Sequence, residues 1–169
     1  MATFTRMDKD TLTPSGKALT DLALELFRLN NRLLVAGDRL VAGIGLTSAR
    51  WKVLGTISAS ERPQPVAWLA RDMGANRQNV QRIVNDLAHE GLVALQPNPH
   101  HRRAPLVVLT DAGARTFEQA MRLQTPWAND LADGLSVADM ETTLRVMAAL
   151  ARKLESDGES AQASTFLPV

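Results

Sequence analysis

The sequence predicts a mainly α-helical fold with one small β-hairpin near its middle, which places the chain in the α+β class. Apolar side chains recur at the i, i+3, i+4 and i+7 spacing of helices along most of the 169 residues. Two short runs differ, because residues 92–96 and 104–109 are rich in Val and Leu and flank a polar, proline-containing segment. These two runs predict the hairpin, with long helices before and after it.

The composition is that of an ordinary globular chain, with 45% hydrophobic and 22% charged residues. No apolar run approaches the roughly 18 residues of a membrane helix. The start of the chain, with Arg6, Asp8 and Lys9, lacks the apolar block of a signal peptide. There is no cysteine, which excludes a disulfide framework, a thiolate metal site and a thiol switch. These features predict a cytoplasmic protein without membrane contact.

The first 45 residues predict a frayed arm and one long helix, from about Ser15 to Gly37 with an extension towards Ile44. A second helix is predicted from Ser48 to about Ala59, and residues 61–65 are expected to form a loop. The apolar stripe of the first helix is broader than one neighbouring domain needs, and it consists of Leu19, Leu22, Ala23, Leu24, Leu26, Phe27, Leu29, Leu33 and Leu34.

Two short helices joined by a glycine turn are predicted next. The segment 66–73 is amphipathic, and Gly74 follows it where a tight turn needs a residue that tolerates positive φ. Asn76 is a favourable N-cap for the second helix. A helix, a short turn and a second helix with a polar outer face form a helix-turn-helix. The apolar stripe of the second helix is Val80, Ile83, Val84 and Leu87.

The outer face of that second helix carries amide and guanidinium groups, which can form paired hydrogen bonds with base edges in the major groove. The alternative is a solvated surface helix, although such a face usually carries more Glu and Lys. The hairpin has a basic tip and predicts a wing that contacts the DNA backbone or enters the minor groove. The predicted DNA-binding residues are Asn76, Arg77, Gln78, Asn79, Gln81, Arg82, Arg102 and Arg103.

The charge distribution agrees with a DNA-binding centre. Residues 47–103 carry eight Lys and Arg against four Asp and Glu, a net charge of +4, whereas the rest of the chain has a net charge of −3. A basic module between acidic flanks is expected where one face of a protein meets phosphate. A surplus of four charges is within ordinary scatter on its own, so its weight comes from coinciding with the helix-turn-helix.

The segment from Leu46 to Gly113 resembles the winged helix-turn-helix of the MarR family of bacterial transcription regulators. The matching motifs are LTSARWKVL (46–54), LARDMG (69–74), RQNVQRIV (77–84), LAHEGLV (87–93), RRA (102–104) and LTDAG (109–113). Their order and spacing together are specific. One position departs from the family, which often has Asp two residues before the wing-tip arginine, whereas here His101 precedes Arg103. An Asp would orient the guanidinium better than a histidine does.

The resemblance implies a sequence-specific, double-stranded-DNA-binding transcription regulator, with repression as its expected action. Regulators of this kind often bind small aromatic or anionic molecules in a crevice between the dimerisation helices and the winged module, and the ligand then releases DNA. The residues whose positions would line this crevice are Phe27, Arg50, Trp51, Trp68, Met121 and Trp127. Each of these side chains is more often plain core or surface than a ligand contact.

Two more helices are predicted after the wing. Thr110 is expected to cap the first, which Pro126 permits to kink. A capping box at residues 136–139 begins the last helix, which is expected to end near Glu155. The predicted domains are an arm with a dimerisation helix (1–45), a winged helix-turn-helix (46–109), dimerisation helices (110–155) and a flexible tail (156–169).

The long helices have broader apolar faces than the winged module can cover, which predicts a two-fold homodimer with interlocked terminal helices. Such a dimer would present two recognition helices to successive major grooves, about 34–36 Å apart, and would bind a palindromic operator.

Other functions share parts of this pattern. A winged helix used only for protein–protein contact would tolerate an acidic outer face, and a nucleoid-type DNA binder without a ligand switch would share the basic one. An enzyme is not expected, because the chain has three histidines and no nucleophile elbow or phosphate-binding glycine motif. No cofactor is predicted. No metal site is predicted either, since His100 and His101 have no further ligand near them in the sequence.

Overall fold

The computed structural model of the protein describes residues 11–164, with side chains for residues 11–156, so most of the predicted N-terminal arm lies outside the described residues. The chain divides into two compact units, Met1–Thr125 and Pro126–Val169. The elements in chain order are α1 (Pro14–Val41), a 3-10 helix (Ala42–Ile44), α2 (Ser48–Ala59), β1 (Gln64–Pro65), α3 (Val66–Asp72), α4 (Arg77–His89), β2 (Val93–Gln96), β3 (Leu106–Leu109), α5 (Asp111–Ala132) and α6 (Val137–Ser164). The predicted α+β class, helices with one small antiparallel sheet, is confirmed.

One apolar core lies in the first unit, where α2, α3, α4 and the sheet meet. Three of the four residues predicted for the stripe of α4 are fully buried, and Ile83 is half-buried against the same core. Burial of a Val or Leu side chain contributes roughly 1.5–3 kcal/mol relative to exposure. The largest fully buried side chains are Val41, Val53, Leu54, Leu69, Val80, Val84, Leu87 and Val107.

A close contact joins the end of α1 to the start of α2. The hydroxyl of Ser48 donates to the carbonyl of Leu34 at 2.7 Å, and its backbone N–H donates to the carboxylate of Asp38 at 2.6 Å. A Cβ built on Gly37 would lie 2.5 Å from the Ser48 hydroxyl oxygen. Gly37 therefore permits this approach inside the helix, and α1 continues through it to Val41.

The sheet has three antiparallel strands in the order β1-β3-β2. The prediction of a loop over residues 61–65 is wrong for its last two residues, which form β1. Gln64 pairs with Val107 and Pro65 with Leu106. Proline is tolerated there because β1 is an edge strand whose outer side makes no ladder. A two-residue strand shows no periodicity, so the sequence could not reveal it.

The chain returns from the hairpin into α5 through a tightly packed corner. The hydroxyl of Thr110 donates to the carbonyl of Gly91 at 2.7 Å and accepts from the N–H of Gly113 at 3.0 Å, which confirms the predicted cap. The Thr110 N–H donates to the carbonyl of Leu92 at 3.1 Å. A Cβ on Gly113 would lie 1.9 Å from that carbonyl oxygen, so the corner requires glycine.

The second unit contains the end of α5, from Pro126, and α6. The hydroxyl of Ser136 accepts from the N–H of Asp139 at 3.4 Å, as expected from a capping box. The prediction that the last helix ends near Glu155 is wrong, because α6 runs to Ser164. The residues after Glu155 are mostly Ala, Ser, Glu and Gln, whose helix propensities differ by only a few tenths of a kcal/mol.

Large apolar side chains remain exposed outside the core. Those on α1 are Leu19, Leu24, Phe27, Leu29, Leu33, Leu34 and Val35, and all of them except Val35 belong to the predicted stripe. Those in the second unit are Leu131, Leu135, Val137, Met140, Leu144, Val146 and Leu154.

Candidate nucleic-acid interface

Helix α4 begins at an N-cap that the sequence predicted. The side-chain oxygen of Asn76 accepts from the N–H groups of Gln78 at 2.8 Å and Asn79 at 3.4 Å. These N–H groups have no partner inside the helix, so the cap stabilises its start, typically by about 1 kcal/mol. The oxygen of Asn76 is therefore engaged with its own helix, which leaves its NH₂ group as the donor that can face DNA.

The polar face of α4 is accessible, as the helical spacing predicted. Gln78, Asn79 and Arg82 are exposed, while Gln81 is half-buried and donates to Asn85 at 3.0 Å. The Arg82 guanidinium lies 4.0 Å from the carboxylate of Asp86, and both side chains are largely solvated. An exposed ion pair of this kind contributes little. The Arg82 guanidinium can consequently exchange this partner for a base or a phosphate.

Asn98 organises the loop of the wing. Its side-chain NH₂ donates to the carbonyl of Ala104 across the loop at 2.8 Å, and its side-chain oxygen accepts from the N–H of His100 at 3.0 Å. Its carbonyl accepts from the N–H of His101 at 3.3 Å. Asn98 is not among the functional residues predicted from the sequence. Its position between two prolines was the available signal, since Asn favours such side-chain turns.

The tip of the wing is basic and exposed. Arg102 and Arg103 are both solvent-accessible, and no ion pair within the described part of the chain engages either of them. His101, which stands where the family often has Asp, is also exposed, and its carbonyl accepts from the N–H of Ala104 at 3.0 Å. The loop is thus held by Asn98 and backbone contacts rather than by an acid beside the arginine.

A cleft of about 810 Å³ lies between the wing, the start of α3 and the start of α4. It brings together three of the eight predicted DNA-binding residues, Arg77, Gln81 and Arg103. Its lining includes no acidic side chain. The other five occupy the N-cap and exposed face of α4, and the tip of the wing.

The six residues predicted for an effector crevice occupy different environments. Trp68 lines the cleft beside the wing, and Trp51 is partly buried against the core. The Arg50 guanidinium pairs with the carboxylate of Glu90 and donates to the carbonyl of Gly45 at 3.1 Å. The remaining three are exposed Phe27 on α1, exposed Met121 on α5, and half-buried Trp127 in the second unit.

Two further features bear on function. Among the residues that the structure describes, no group of three or more His, Cys, Asp or Glu side chains could hold a metal ion. No helix in the same part of the chain is long and apolar enough to cross a membrane.

Comparison with known proteins identifies the family. A family model described as MarR family matches residues 44–104. An uncharacterised protein of Mycobacterium tuberculosis is 38% identical over 122 residues, which cover 72% of this chain and 84% of that protein. The multiple antibiotic resistance protein MarR of Escherichia coli is 32% identical over 117 residues, which cover 63% of this chain and 78% of MarR. This chain belongs to the MarR family.

Solved structures of MarR-family regulators share the fold. The transcriptional repressor CouR bound to a 23-mer DNA duplex matches with a TM-score of 0.69 and 25% identity, over 83% of this chain and 99% of CouR. CouR from Rhodococcus jostii bound to p-coumaroyl-CoA matches with a TM-score of 0.69 and 21% identity, over 78% of this chain and 92% of CouR. The winged helix-turn-helix and the MarR-family resemblance predicted from the motifs are confirmed, and the protein is a transcription regulator of this family.

Proposed function

We propose that this MarR-family regulator is a homodimeric repressor that binds a palindromic operator through α4 and the wing. The observation that carries the proposal is the exposed face of α4, where Gln78, Asn79 and Arg82 are accessible next to a cleft without acidic lining. Amide and guanidinium groups can distinguish base edges in the major groove. The arginines of the wing add charge that attracts phosphate without reading sequence. Repression is supported by the likeness to the transcriptional repressor CouR in its complex with a DNA duplex.

The homodimer is supported by apolar side chains that the single chain leaves exposed. On α1, Leu24 and Phe27 remain 51% and 69% accessible. The second unit carries exposed leucines and valines along α6 as well. Contiguous apolar faces of this kind mark interaction surfaces in soluble proteins. A second copy of the chain is the partner proposed here, because two-fold pairing would also present two copies of α4 to a palindromic site.

Substitutions on α4 test the recognition face. Duplexes enriched from a randomised library by the wild-type protein supply the specific probe, and fluorescence anisotropy measures affinity for it and for an unselected duplex. Arg82→Ala and Gln78→Ala should each weaken specific binding by about 1–3 kcal/mol, with much less change on unselected DNA. Circular dichroism should remain that of the wild type, since both side chains are exposed.

Arg122→Ala is the matched control for Arg82→Ala. Arg122 on α5 lies 4.0 Å from the carboxylate of Glu118, the same spacing that separates Arg82 from Asp86, and both guanidiniums are exposed. Its loss should leave DNA affinity unchanged. Wild-type affinity from both α4 variants would refute the assignment of the recognition face. Equal wild-type affinity for enriched and unselected duplex would favour the nucleoid-type binder, and no DNA binding would favour the protein–protein module.

We further infer that the regulator acts in the cytoplasm and responds to a small aromatic or anionic effector. The support for the effector is the likeness to CouR, whose crystal structure contains bound p-coumaroyl-CoA. A panel of aromatic carboxylates and acyl-CoA thioesters, titrated against the protein on its enriched duplex, tests this response. Release of DNA by one class at low concentration is the expected result. Release by none of the panel would contradict the inferred effector class.

A further inference from the structure

The cleft between the wing and the two short helices contains a residue that the recognition face does not explain. Arg62 lies in the loop after α2, and its guanidinium carbon is 5.7 Å from the centre of the Trp68 indole ring. Trp68, on α3, is 42% exposed although it is the largest type of apolar side chain. Both residues line the cleft together with Arg77 and Arg103.

The indole ring gives Arg62 a defined position. A guanidinium over an aromatic face is attracted by the negative face of the ring and loses part of its freedom. The N–H donors of a guanidinium lie in the plane of the group, so a contact with a ring face leaves donors available for another acceptor. No ion pair within the described part of the chain engages Arg62. Trp68 therefore holds a cation ready for an external acceptor.

The charges of the lining indicate what the cleft accepts. Three arginines and two histidines line it, and none of the lining residues is acidic. The cleft is bounded on one side by α4, whose face is suited to the major groove, and on the other by the wing, which can reach a minor groove. In a duplex, the two grooves are separated by a sugar–phosphate strand. An extended polyanion therefore fits both the charge and the place of the cleft.

We propose, as a deepening of the proposed DNA-binding function, that the cleft holds one sugar–phosphate strand of the duplex and that Arg62 binds a phosphate there. Trp68 positions the Arg62 guanidinium, and Arg77 and Arg103 complete a row of cations along the strand. These contacts carry no sequence information, because phosphates are the same at every step. They contribute affinity and fix the register of α4 on the duplex.

The salt dependence of binding tests this assignment. Arg62→Gln should reduce the slope of log affinity against log salt concentration by about one, since one phosphate contact is lost. The corresponding loss of affinity is roughly tenfold at 0.1 M salt, by the same factor for enriched and unselected duplex. The ratio of the two affinities should stay at its wild-type value. An unchanged slope in Arg62→Gln would overturn the proposal.

Arg71→Gln is a matched control. The guanidinium carbon of Arg71 is also 5.7 Å from the centre of the Trp68 ring, but Arg71 does not line the cleft, and it lies 3.7 Å from the carboxylate of Asp72. Its replacement removes the same charge from the same ring and should leave the salt slope unchanged. An equal reduction in slope from both variants would overturn the proposal, because the effect would then reflect overall charge rather than the cleft.

The ring itself is tested by two substitutions. Trp68→Leu should weaken duplex binding severalfold by freeing Arg62, whereas Trp68→Phe keeps an aromatic face and should restore most of the affinity. Equal affinities of the two variants would overturn the positioning role of the ring. The Arg62 comparison remains decisive if Trp68→Leu does not fold.

Two outcomes separate this inference from the proposed function. No salt-dependent duplex binding by the wild type would refute the function itself. Binding by the wild type with an unchanged slope in Arg62→Gln would refute only the role of the cleft. If benzoate bound the free wild-type protein and this binding were lost in Arg62→Gln without a change in slope, the cleft would be a site for small aromatic anions, which would also overturn the proposal.

Discussion

The winged module and helix α1 belong to the same compact unit, but the module buries its large apolar side chains and much of α1 leaves them exposed. Leu54, Leu69 and Leu87 are at most 1% exposed at the meeting of α2, α3 and α4, whereas Leu24 and Phe27 on α1 keep more than half of their surface in solvent. The apolar side chains of the module are thus buried by contacts within the same chain. The first part of helix α1 leaves Leu24 and Phe27 exposed, and these side chains are the basis of the proposed homodimer.

Leu69→Ala should produce the largest loss in the free energy of unfolding. It empties a fully buried position in α3, and truncation of a buried leucine typically costs about 2–5 kcal/mol through lost transfer energy and a residual cavity. Urea unfolding at two protein concentrations should show the same loss at both, because every lost contact lies within one chain.

Leu24→Ala is the control that sharpens this comparison. An exposed leucine should cost the isolated chain no more than about 0.5 kcal/mol. If α1 pairs with a second copy, the loss should be larger at high protein concentration and should shrink towards this value as dilution dissociates the dimer, since the stabilisation by dimerisation depends on concentration. A large loss from Leu24→Ala that is independent of concentration would remove the contrast between the two regions.

Gly113→Ala should cause the second largest loss in the free energy of unfolding, about 1–3 kcal/mol or more. The added Cβ would lie 1.9 Å from the carbonyl oxygen of Leu92, which is backbone and cannot rotate away. Gly43→Ala provides the comparison, because nothing lies within 4 Å of a Cβ at that position. Thermal unfolding should separate the two variants clearly. Similar melting temperatures would show that the corner between β3 and α5 can accommodate a methyl group at residue 113.

The elements that the sequence predicted are those determined by local pattern. The N-cap Asn76, the apolar stripe of α4 and the two strands of the hairpin depend on neighbours within a few residues, and each was found where periodicity and capping placed it. Gly113 was noticed only as part of a motif. Its reason, the approach of Leu92, depends on packing between distant segments.

The candidate site was also predicted only where it depends on local pattern. Helical spacing sufficed to find the accessible face of α4, including Gln78 and Arg82. Arg62 was missed, because only the fold brings its loop beside Trp68 and the wing. The predicted end of α6 at Glu155 was wrong for another reason. The small polar residues that follow neither favour nor oppose a helix strongly, so their composition does not show where the helix ends.

Asn98→Ala should lower the free energy of unfolding by a smaller amount, about 1 kcal/mol. It removes two hydrogen bonds and leaves the carbonyl of Ala104 without its partner at a partly buried position. Asn79→Ala is the control, because Asn79 is exposed and its side chain makes no hydrogen bond within the described residues. Urea unfolding should distinguish them, and DNA affinity should fall in both. A stability loss confined to Asn79→Ala would contradict the role of Asn98 in the wing.

The smallest expected effect is the coupling between Arg50 and Glu90, which joins the start of α2 to the end of the recognition helix. Glu90 is the C-cap of α4, and its carboxylate pairs with a guanidinium that also donates to the carbonyl of Gly45. The Arg50 side chain is only 19% exposed, but Glu90 is 47% exposed, so solvent screens the pair. A double-mutant cycle with Arg50→Gln and Glu90→Gln should therefore give a coupling energy below about 1 kcal/mol.

The same cycle on α1 completes the comparison between the two regions. Lys17 and Asp21 form an ion pair at 2.9 Å with both side chains largely in solvent. Their coupling should be no more than about 0.3–0.5 kcal/mol, because solvent weakens such a pair and its long side chains lose entropy when they meet. Arg50 is held by a second hydrogen bond and by burial, so its cycle should give the larger value in urea unfolding at 0.1 M salt. Raising the salt should diminish the Lys17–Asp21 coupling more than the Arg50–Glu90 coupling. Equal couplings with equal salt dependence would mean that burial of Arg50 adds nothing to the junction of α2 with the recognition helix.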